Sequence, residues 1–305
     1  MVISNFSQLK EKFHDLPVKR AVVAAAHDEH TLQAVFAARW DGFIRPVLVG
    51  EGEEIRCIAR RLGEPLEEDQ VIEASGEQAC AQQAVALIRE GRGDLLIKGM
   101  LQTGAMLKAV VSKENGIRRS EVMSHVAILD VPSYHKLLFI TDGGMVVAPD
   151  LKQKRHILKN AVEFCHFLGY ENPKAAVLCA VETVTSAMPE TQDAQQLKLE
   201  GEQGAFGACQ VEGPISLDLA TDREAALTKH YQSPVAGDAD ILLVPAIAVG
   251  NVLGKALYGL AGGEMAGVVL GAQVPITVNS RGASAQEKYW SILISAAMGS
   301  ACQAI

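Results

Sequence analysis

Short apolar runs alternate with helix signals along almost the whole chain, and that alternation limits its fold more than any other feature. The runs Ala21–His27, Ile44–Gly50, Asp94–Lys98, His125–Val131, Lys136–Asp142, Ala175–Ala180, Ala239–Pro245 and Val274–Val278 are five to seven residues long. That is strand length, and the most apolar of them read as strands buried on both faces. Helix signals lie between them. Asp28 can cap a helix after the first run, Ser75 can cap one that reaches about Arg89, and Gly104–Val111 reads as another. Leu151–Leu168 is a long amphipathic helix closed by Gly169, and Thr221-x-x-Glu224 has the form of a capping box. Strands separated by helices imply an α/β fold with largely parallel strands.

At 305 residues the chain exceeds what one core comfortably holds, so two domains are expected. The Gly- and Pro-containing connection Ser133–Asp150 reads as a crossover, and the last helix, Ser284–Gln303, is too apolar to stand alone. The expected division is a first α/β domain of residues 1–138 plus 281–305 and a second of residues 139–280, with residues 280–287 at their junction.

Composition excludes several function classes. Aromatic residues make up only 5%, too few for base-stacking platforms, and the net charge of −8 gives no general attraction to nucleic acid or an anionic membrane. No run approaches 18 apolar residues, and the opening MVISNFSQLKEKFHDL has no apolar segment of the secretory kind. The six cysteines (57, 80, 165, 179, 209 and 302) form no C-x-x-C pair, so neither a metal nor a disulfide framework is expected, and a reducing cytoplasm fits.

One segment carries chemistry. Ser233–Ser291 reads as strand, Gly-Asn turn, helix, Gly-rich segment and strand, and then Ser280-Arg281-Gly282 opens the last helix. An Arg at a strand-to-helix turn sits beside free backbone N–H groups and a favourable helix dipole, which suits a phosphate or acyl phosphate.

The blocks AAAHDEHTLQAV (24–35), KGMLQTGAMLKAV (98–110), GIRRSEVMSHVAILDVPSYHKLLFITDGG (116–144), APDLKQKRHILKNA (148–161), VLCAVETV (177–184) and VEGPISLDLA (211–220), with the C-terminal stretch, resemble the phosphate acetyltransferase/phosphate butyryltransferase family, closer to its butyryl branch. The resemblance implies two α/β domains with a cleft between them, as in isocitrate and isopropylmalate dehydrogenases, and a homodimer. It implies interconversion of acyl-CoA plus phosphate with acyl phosphate plus CoA, with CoA as a substrate and no metal or redox cofactor.

That chemistry needs a base for the CoA thiol, a hydrogen-bond donor for the carbonyl oxygen and arginine for the phosphate. By resemblance, Arg281 binds the phosphoryl oxygens and Ser280 donates to the carbonyl or the leaving phosphate, while the alternative for Ser280 is a helix cap. Glu287 is either the base or the closing residue of a Ser284-to-Glu287 capping box. Arg118 is the expected second phosphate ligand across the cleft, with Arg119 serving CoA or solvent. Thr141 and Asp142 match a Thr-Asp block in which Asp142 either orients an arginine or holds the turn before Gly143-Gly144. Asn251 and Lys255 open a helix after a buried strand, where Lys255 can meet CoA phosphates. In His27-Asp28-Glu29-His30 the acids are explained as cap and first turn rather than as metal ligands.

Three positions depart from the family pattern. Val146 stands where an Asn is expected, Gly254 where a Tyr is expected and Ala283 where the butyryl branch often has Asp. Each replaces a polar or bulky group, which gives either a roomier pocket or a non-catalytic acyl-CoA sensor. A decarboxylating NAD-dependent dehydrogenase of the same fold is the remaining alternative, and it lacks the clustered aspartates that would hold its metal.

Overall fold

The structure, a computed structural model, describes residues 3–299. Contacts divide the chain into two compact units. A terminal unit comprises Ser7–Glu121 and the residues from Ala266 onward, and a central unit comprises Val122–Met265 with the residues up to Phe6.

Through the first stretch of the chain run α1 (Phe6–Lys12), β1 (Lys19–Ala24), α2 (Glu29–Trp40), β2 (Ile44–Gly50), α3 (Gly52–Arg61), β3 (Val71–Glu73), α4 (Glu77–Arg89), β4 (Leu95–Lys98) and α5 (Thr103–Val110). The middle stretch holds β5 (Ser124–Asp130), β6 (Leu138–Thr141), α6 (Leu151–Phe167), β7 (Lys174–Leu178), α7 (Pro189–Glu202), β8 (Gln210–Ile215), α8 (Leu217–Thr221), α9 (Arg223–Thr228), β9 (Ile241–Leu243) and α10 (Ile247–Gly259). The chain closes with β10 (Glu264–Leu270), β11 (Ile276–Thr277) and α11 (Ala285–Met298).

In the terminal unit the strands lie in the order β3-β2-β1-β4-β11-β10. All these pairings are parallel except β10 with β11. In the central unit the order is β5-β6-β9-β7-β8, parallel except for β5 with β6. This is the mostly parallel α/β arrangement that the apolar runs imply. β4 is buried at all four positions and β6 likewise, as strands covered on both faces must be.

Parallel strands put their carboxyl ends on one edge, and the pairing of β1, β4 and β11 does this in the terminal unit. β1 ends at Ala24, three residues short of the expected strand end at His27, and the chain leaves it through Ala25, whose φ of 54° is left-handed. Gly99 follows β4, and a Cβ there would meet the Ala25 carbonyl oxygen at 2.2 Å. The Gly99 N–H instead donates to Ala24 O at 2.8 Å. Only glycine permits this approach, and it sets Lys98 beside the start of α2.

α11 is buried on all sides from Glu287 to Met298 and packs against α2, β4 and β11. The rest of the expected helix, to Gln303, lies outside the described residues, as does Cys302. Unit boundaries fall at 121/122 and 265/266, earlier than the expected 138/139 and 280/281. The physical reason is strand pairing. β5 pairs antiparallel with β6, so it belongs with the strands that follow it, and β11 pairs with β4, so it belongs with the strands that precede it.

Three strands escape the alternation: β3, which is only three residues long, β8 and β10. β10 reads as a Gly-rich loop because Gly263, Gly267 and Gly271 punctuate it, yet the Gly267 N–H is held by Ser291 Oγ at 2.9 Å. β8 contains Pro214 and is the edge strand of its unit, where a missing N–H is tolerated. Two caps also shift. Gly76 rather than Ser75 precedes α4, and Asp222 rather than Thr221 caps α9, accepting from the Glu224 N–H at 2.8 Å.

Candidate active site

The carboxyl edge of β1, β4 and β11 gathers Asp28, Lys98, Arg281 and Lys288. Asp28 follows β1 and caps α2, accepting from the Thr31 N–H at 2.9 Å. Lys288, in the first turn of α11, donates to Asp28 Oδ2 at 2.7 Å and to Thr31 Oγ1 at 2.9 Å. Burial works against the Asp28 charge, but the Lys288 and Thr31 hydrogen bonds outweigh it and leave the carboxyl below its ordinary range. The cap assigned from sequence is therefore present, and it doubles as half of a buried ion pair.

Lys98 ends β4 beside this pair and is only 4% exposed. Its Nζ donates to Gly99 O at 3.1 Å, and among the described residues no carboxylate pairs with it. Burial, reinforced by the positive charges of Lys288 and Arg281, lowers its pKa to about 8. Sequence reasoning missed Lys98. The signal was the run Asp94–Lys98, in which a charged residue closes a buried strand at the edge where open α/β sheets bind ligands.

Past β11 the chain turns through Asn279, Ser280 and Arg281. Ser280 and Arg281 are exposed, and Arg281 pairs with no carboxylate among the described residues. The Ser280 carbonyl accepts from the Ala283 N–H at 3.1 Å, and its hydroxyl lies 3.4 Å from the Gly282 N–H. The cap of α11 is Ser284, whose hydroxyl accepts from the Glu287 N–H at 3.1 Å. So the capping alternative for Ser280 passes to Ser284.

Glu287 does not return the Ser284 bond. Its carboxylate turns inward and accepts from Asn279 Nδ2 at 3.3 Å, and the residue is 6% exposed. Asn279 also donates to Ser291 Oγ at 3.0 Å, which in turn donates to the Glu287 carbonyl at 2.9 Å. Burial raises the Glu287 pKa, with the Asn279 bond and Lys288 acting against it. A carboxyl held away from water and oriented by an amide, six residues after Arg281, is suited to proton transfer.

Arg118 and Arg119 lie elsewhere. Arg118 bridges Ala272, and the Arg119 N–H donates to Gly271 O at 3.0 Å. Gly271 and Ala272 belong to the hairpin between β10 and β11, on the amino edge of β11. Arg281 leaves its carboxyl edge. Within the terminal unit the backbone of the expected second phosphate ligand thus meets the end of β11 opposite to the one that Arg281 leaves, and Lys98 lies at the Arg281 end.

The central unit carries the remaining candidates. Thr141 Oγ1 donates to His125 O at 2.9 Å. Asp142 is buried, and its carboxylate accepts from the N–H groups of Gly144, Met145 and Val146 at 2.8, 2.9 and 3.1 Å. Burial pushes the Asp142 pKa up, and these three donors oppose it. Of the two roles open to Asp142, the structure shows the turn. Gly143 and Gly250 touch backbone to backbone, so a Cβ on Gly250 would meet Gly143 Cα at 2.8 Å. This contact sets the start of α10 against the turn, with Asn251 Nδ2 at 3.4 Å from Gly143 O.

Asn251 and Lys255 are four residues apart on the exposed side of α10. Val249, Val252, Leu253 and Ala256 follow the i, i+3, i+4, i+7 pattern and line a cavity of about 700 Å³ with Leu178 and Pro245. Of the departing positions, Gly254 has only Met265 Sδ, at 3.9 Å, in reach of an added Cβ, and Ala283 is buried. Val146 gives its N–H to Asp142, a bond that any residue except proline supplies.

The family described as "Phosphate acetyl/butaryl transferase" matches residues 78–296. The phosphate butyryltransferase of Clostridium acetobutylicum is 36% identical over 295 residues, covering 97% of this chain and 98% of that protein. A phosphate acetyltransferase of Thermotoga maritima is 38% identical over 278 residues, covering 91% and 94%. Among solved structures, a branched-chain phosphotransacylase from Enterococcus faecalis superposes with a TM-score of 0.81 at 31% identity, covering 92% of this chain and 98% of that one. The chain belongs to the phosphate acetyl/butyryl transferase family. Neither the dehydrogenase nor the sensor alternative finds support among these relatives.

Proposed function

We propose that this protein is a phosphate acyltransferase that interconverts a short or medium acyl-CoA plus phosphate with the acyl phosphate plus CoA. The observation that carries the reading is the carboxyl edge of the terminal unit, where Arg281, unpaired among the described residues, adds its charge to that of Lys98, and where α11 carries a buried, inward-turned Glu287. A CoA thiol resembles cysteine, with a pKa of about 8.5, so at pH 7 its deprotonation costs about 2 kcal/mol. Glu287 takes that proton as the thiolate sulfur attacks the acyl phosphate carbonyl. The carbonyl oxygen gathers negative charge and Ser280 Oγ donates to it. The C–O bond to phosphate then breaks, and Arg281 holds two oxygens of the leaving dianion. In reverse, phosphate attacks the thioester carbonyl and CoA leaves with the Glu287 proton.

Lys255, Asn251 and Arg119 are proposed contacts for CoA, because each offers donors on an exposed surface. The steps above are acid–base and electrostatic, so no metal or redox cofactor is proposed, and turnover in excess EDTA checks this. The family's two-domain, isocitrate/isopropylmalate dehydrogenase-like plan is part of the proposal, as is a homodimer. Val249 at 43% and Val252 at 67% exposure are the apolar surface in its favour. No helix among the described residues is long and apolar enough to cross a membrane. A cytoplasmic location is proposed on the unpaired cysteines.

The test is phosphate-dependent release of CoA thiol from acetyl-CoA through hexanoyl-CoA, with purified protein. Turnover establishes the reading, and the rank order shows whether the space at Gly254 admits longer chains. Acyl-CoA binding without turnover would instead restore the sensor reading.

A further inference from the structure

We infer that Lys98 is a direct phosphoryl ligand that works with Arg281, in place of a second arginine. The inference rests on the acyltransferase reading for the identity of the anion, and on geometry for the residue. Lys98 closes β4 and Arg281 follows β11, and these strands are adjacent and parallel, with Thr277 level with Ile97. Both cations therefore emerge on the same edge from neighbouring strands. Lys288, the third cation there, is held by Asp28 and Thr31. Among the described residues Lys98 has no such partner. An ammonium has three N–H donors, and Gly99 O takes one of them. Burying a lysine without a counter-charge is costly, and the cost is removed when an anion arrives.

The position is also constrained. Gly99 admits no side chain because Ala24 and Ala25 carbonyls crowd it, so Lys98 is fixed where its backbone meets β1. The charged groups acting on its amine come from the elements around it: Asp28 from the start of α2, Glu77 from α4, Arg281 from the turn after β11 and Lys288 from α11. In the free enzyme the amine loses its proton as pH rises through about 8. Phosphate binding is therefore strongest below that pH and weakens above it.

The experiment compares the parent protein with Lys98→Met, which keeps the stem and removes the charge, and with Arg281→Ala. Three quantities are read: thermal stability, KM for phosphate and for acyl-CoA from pH 6.5 to 9, and binding of inorganic phosphate by calorimetry. Lys98→Met is expected to fold with undiminished stability, because a buried charge is gone. Its phosphate KM should rise about ten- to a hundredfold, as for loss of one charge-assisted hydrogen bond. Its acyl-CoA KM should change by less than about twofold, and the rise in phosphate KM above pH 8 seen in the parent should vanish. An unchanged phosphate KM in folded Lys98→Met, beside a raised one in Arg281→Ala, overturns the assignment. A parent that binds phosphate without acyl transfer, and loses that binding in Lys98→Met, supports Lys98 while sinking the acyltransferase reading. A parent that neither turns over nor binds phosphate overturns both.

Discussion

Lys288 Nζ lies 2.7 Å from Asp28 Oδ2, joining the first turns of α11 and α2 across 260 residues of sequence. Asp28 thereby caps one helix and fastens another. The pair sits at the edge where Lys98 and Arg281 emerge, so it supports the site without being available to a ligand. It also accounts for the placing of α11, which carries Glu287 one residue before Lys288.

Lys288→Met should lower stability by about 3 kcal/mol, because it leaves a largely buried carboxylate without its partner. The figure belongs at the low end of the usual range since Thr31 still donates to Asp28. The pH dependence has a definite sign. The folded-state pKa of Asp28 is depressed, so its contribution is present above the unfolded value of about 3.9 and is lost as pH falls through the folded one. Urea midpoints at pH 7 and pH 3 should therefore differ less in Lys288→Met than in the parent. An equal pH response in both proteins would remove the pair from the acid limb.

Glu287→Gln and Ser284→Ala should separate chemistry from capping. Ser284 accepts the cap bond, and Glu287 takes part in it only by donating its backbone N–H. Ser284→Ala should cost about 1 kcal/mol of stability with turnover of the folded protein kept. Glu287→Gln keeps an acceptor for Asn279 and cannot take a proton, so it should hold stability and lose about 10²–10⁴ in kcat. Full activity in Glu287→Gln would assign the residue to structure alone.

Fold class was legible because strands buried on both faces write themselves as uninterrupted apolar runs. β4 and β6 are visible within the runs Asp94–Lys98 and Lys136–Asp142 for that reason. β8 and β10 were hidden, one by an edge position that tolerates Pro214 and the other by glycines whose backbone groups are satisfied from α11. Ser280, Arg281 and Glu287 were legible through family resemblance, although the direction of the Glu287 side chain was not. Ser284-x-x-Glu287 fits a capping box in sequence, and only the Asn279 amide decides where the carboxylate points. Lys98 and Arg118 show the limit from opposite sides. Distance along the chain says nothing about sheet edges, and the edge is set by the β4–β11 pairing and the β10–β11 hairpin.

Gly99→Ala should disturb the site from behind. The added Cβ would sit 2.2 Å from Ala25 O and 2.8 Å from Ala24 O, both rigid backbone atoms at the end of β1. Relief requires β1 and β4 to part, which moves Lys98 and the entry to α2. We expect a stability loss of about 2–4 kcal/mol and a raised phosphate KM in the fraction that folds. A Gly99→Ala protein with parental melting temperature and kinetics would show that the approach of these strands is not required.

Arg281→Ala and Arg118→Ala should differ sharply, because the terminal unit sets them on opposite edges of its sheet. Arg281 is exposed, pairs with no carboxylate among the described residues and adds its charge to that of Lys98, so its loss removes the bidentate hold on the departing phosphate. We expect kcat/KM to fall about 10²–10³-fold, with the phosphate KM raised and kcat lowered as well, since the charge it meets grows as the bond to phosphate breaks. Arg281→Lys should recover only part of this, as an ammonium cannot grip two oxygens in a plane. Arg118 is tied to the β10–β11 hairpin through its bridge with Ala272, and Arg118→Ala should leave the phosphate KM within about twofold of the parent. Steady-state kinetics of the three variants at fixed acyl-CoA, with phosphate varied, decide the matter. A loss in Arg118→Ala as large as in Arg281→Ala would mean that Arg118 reaches the phosphate by a route that one terminal unit does not provide.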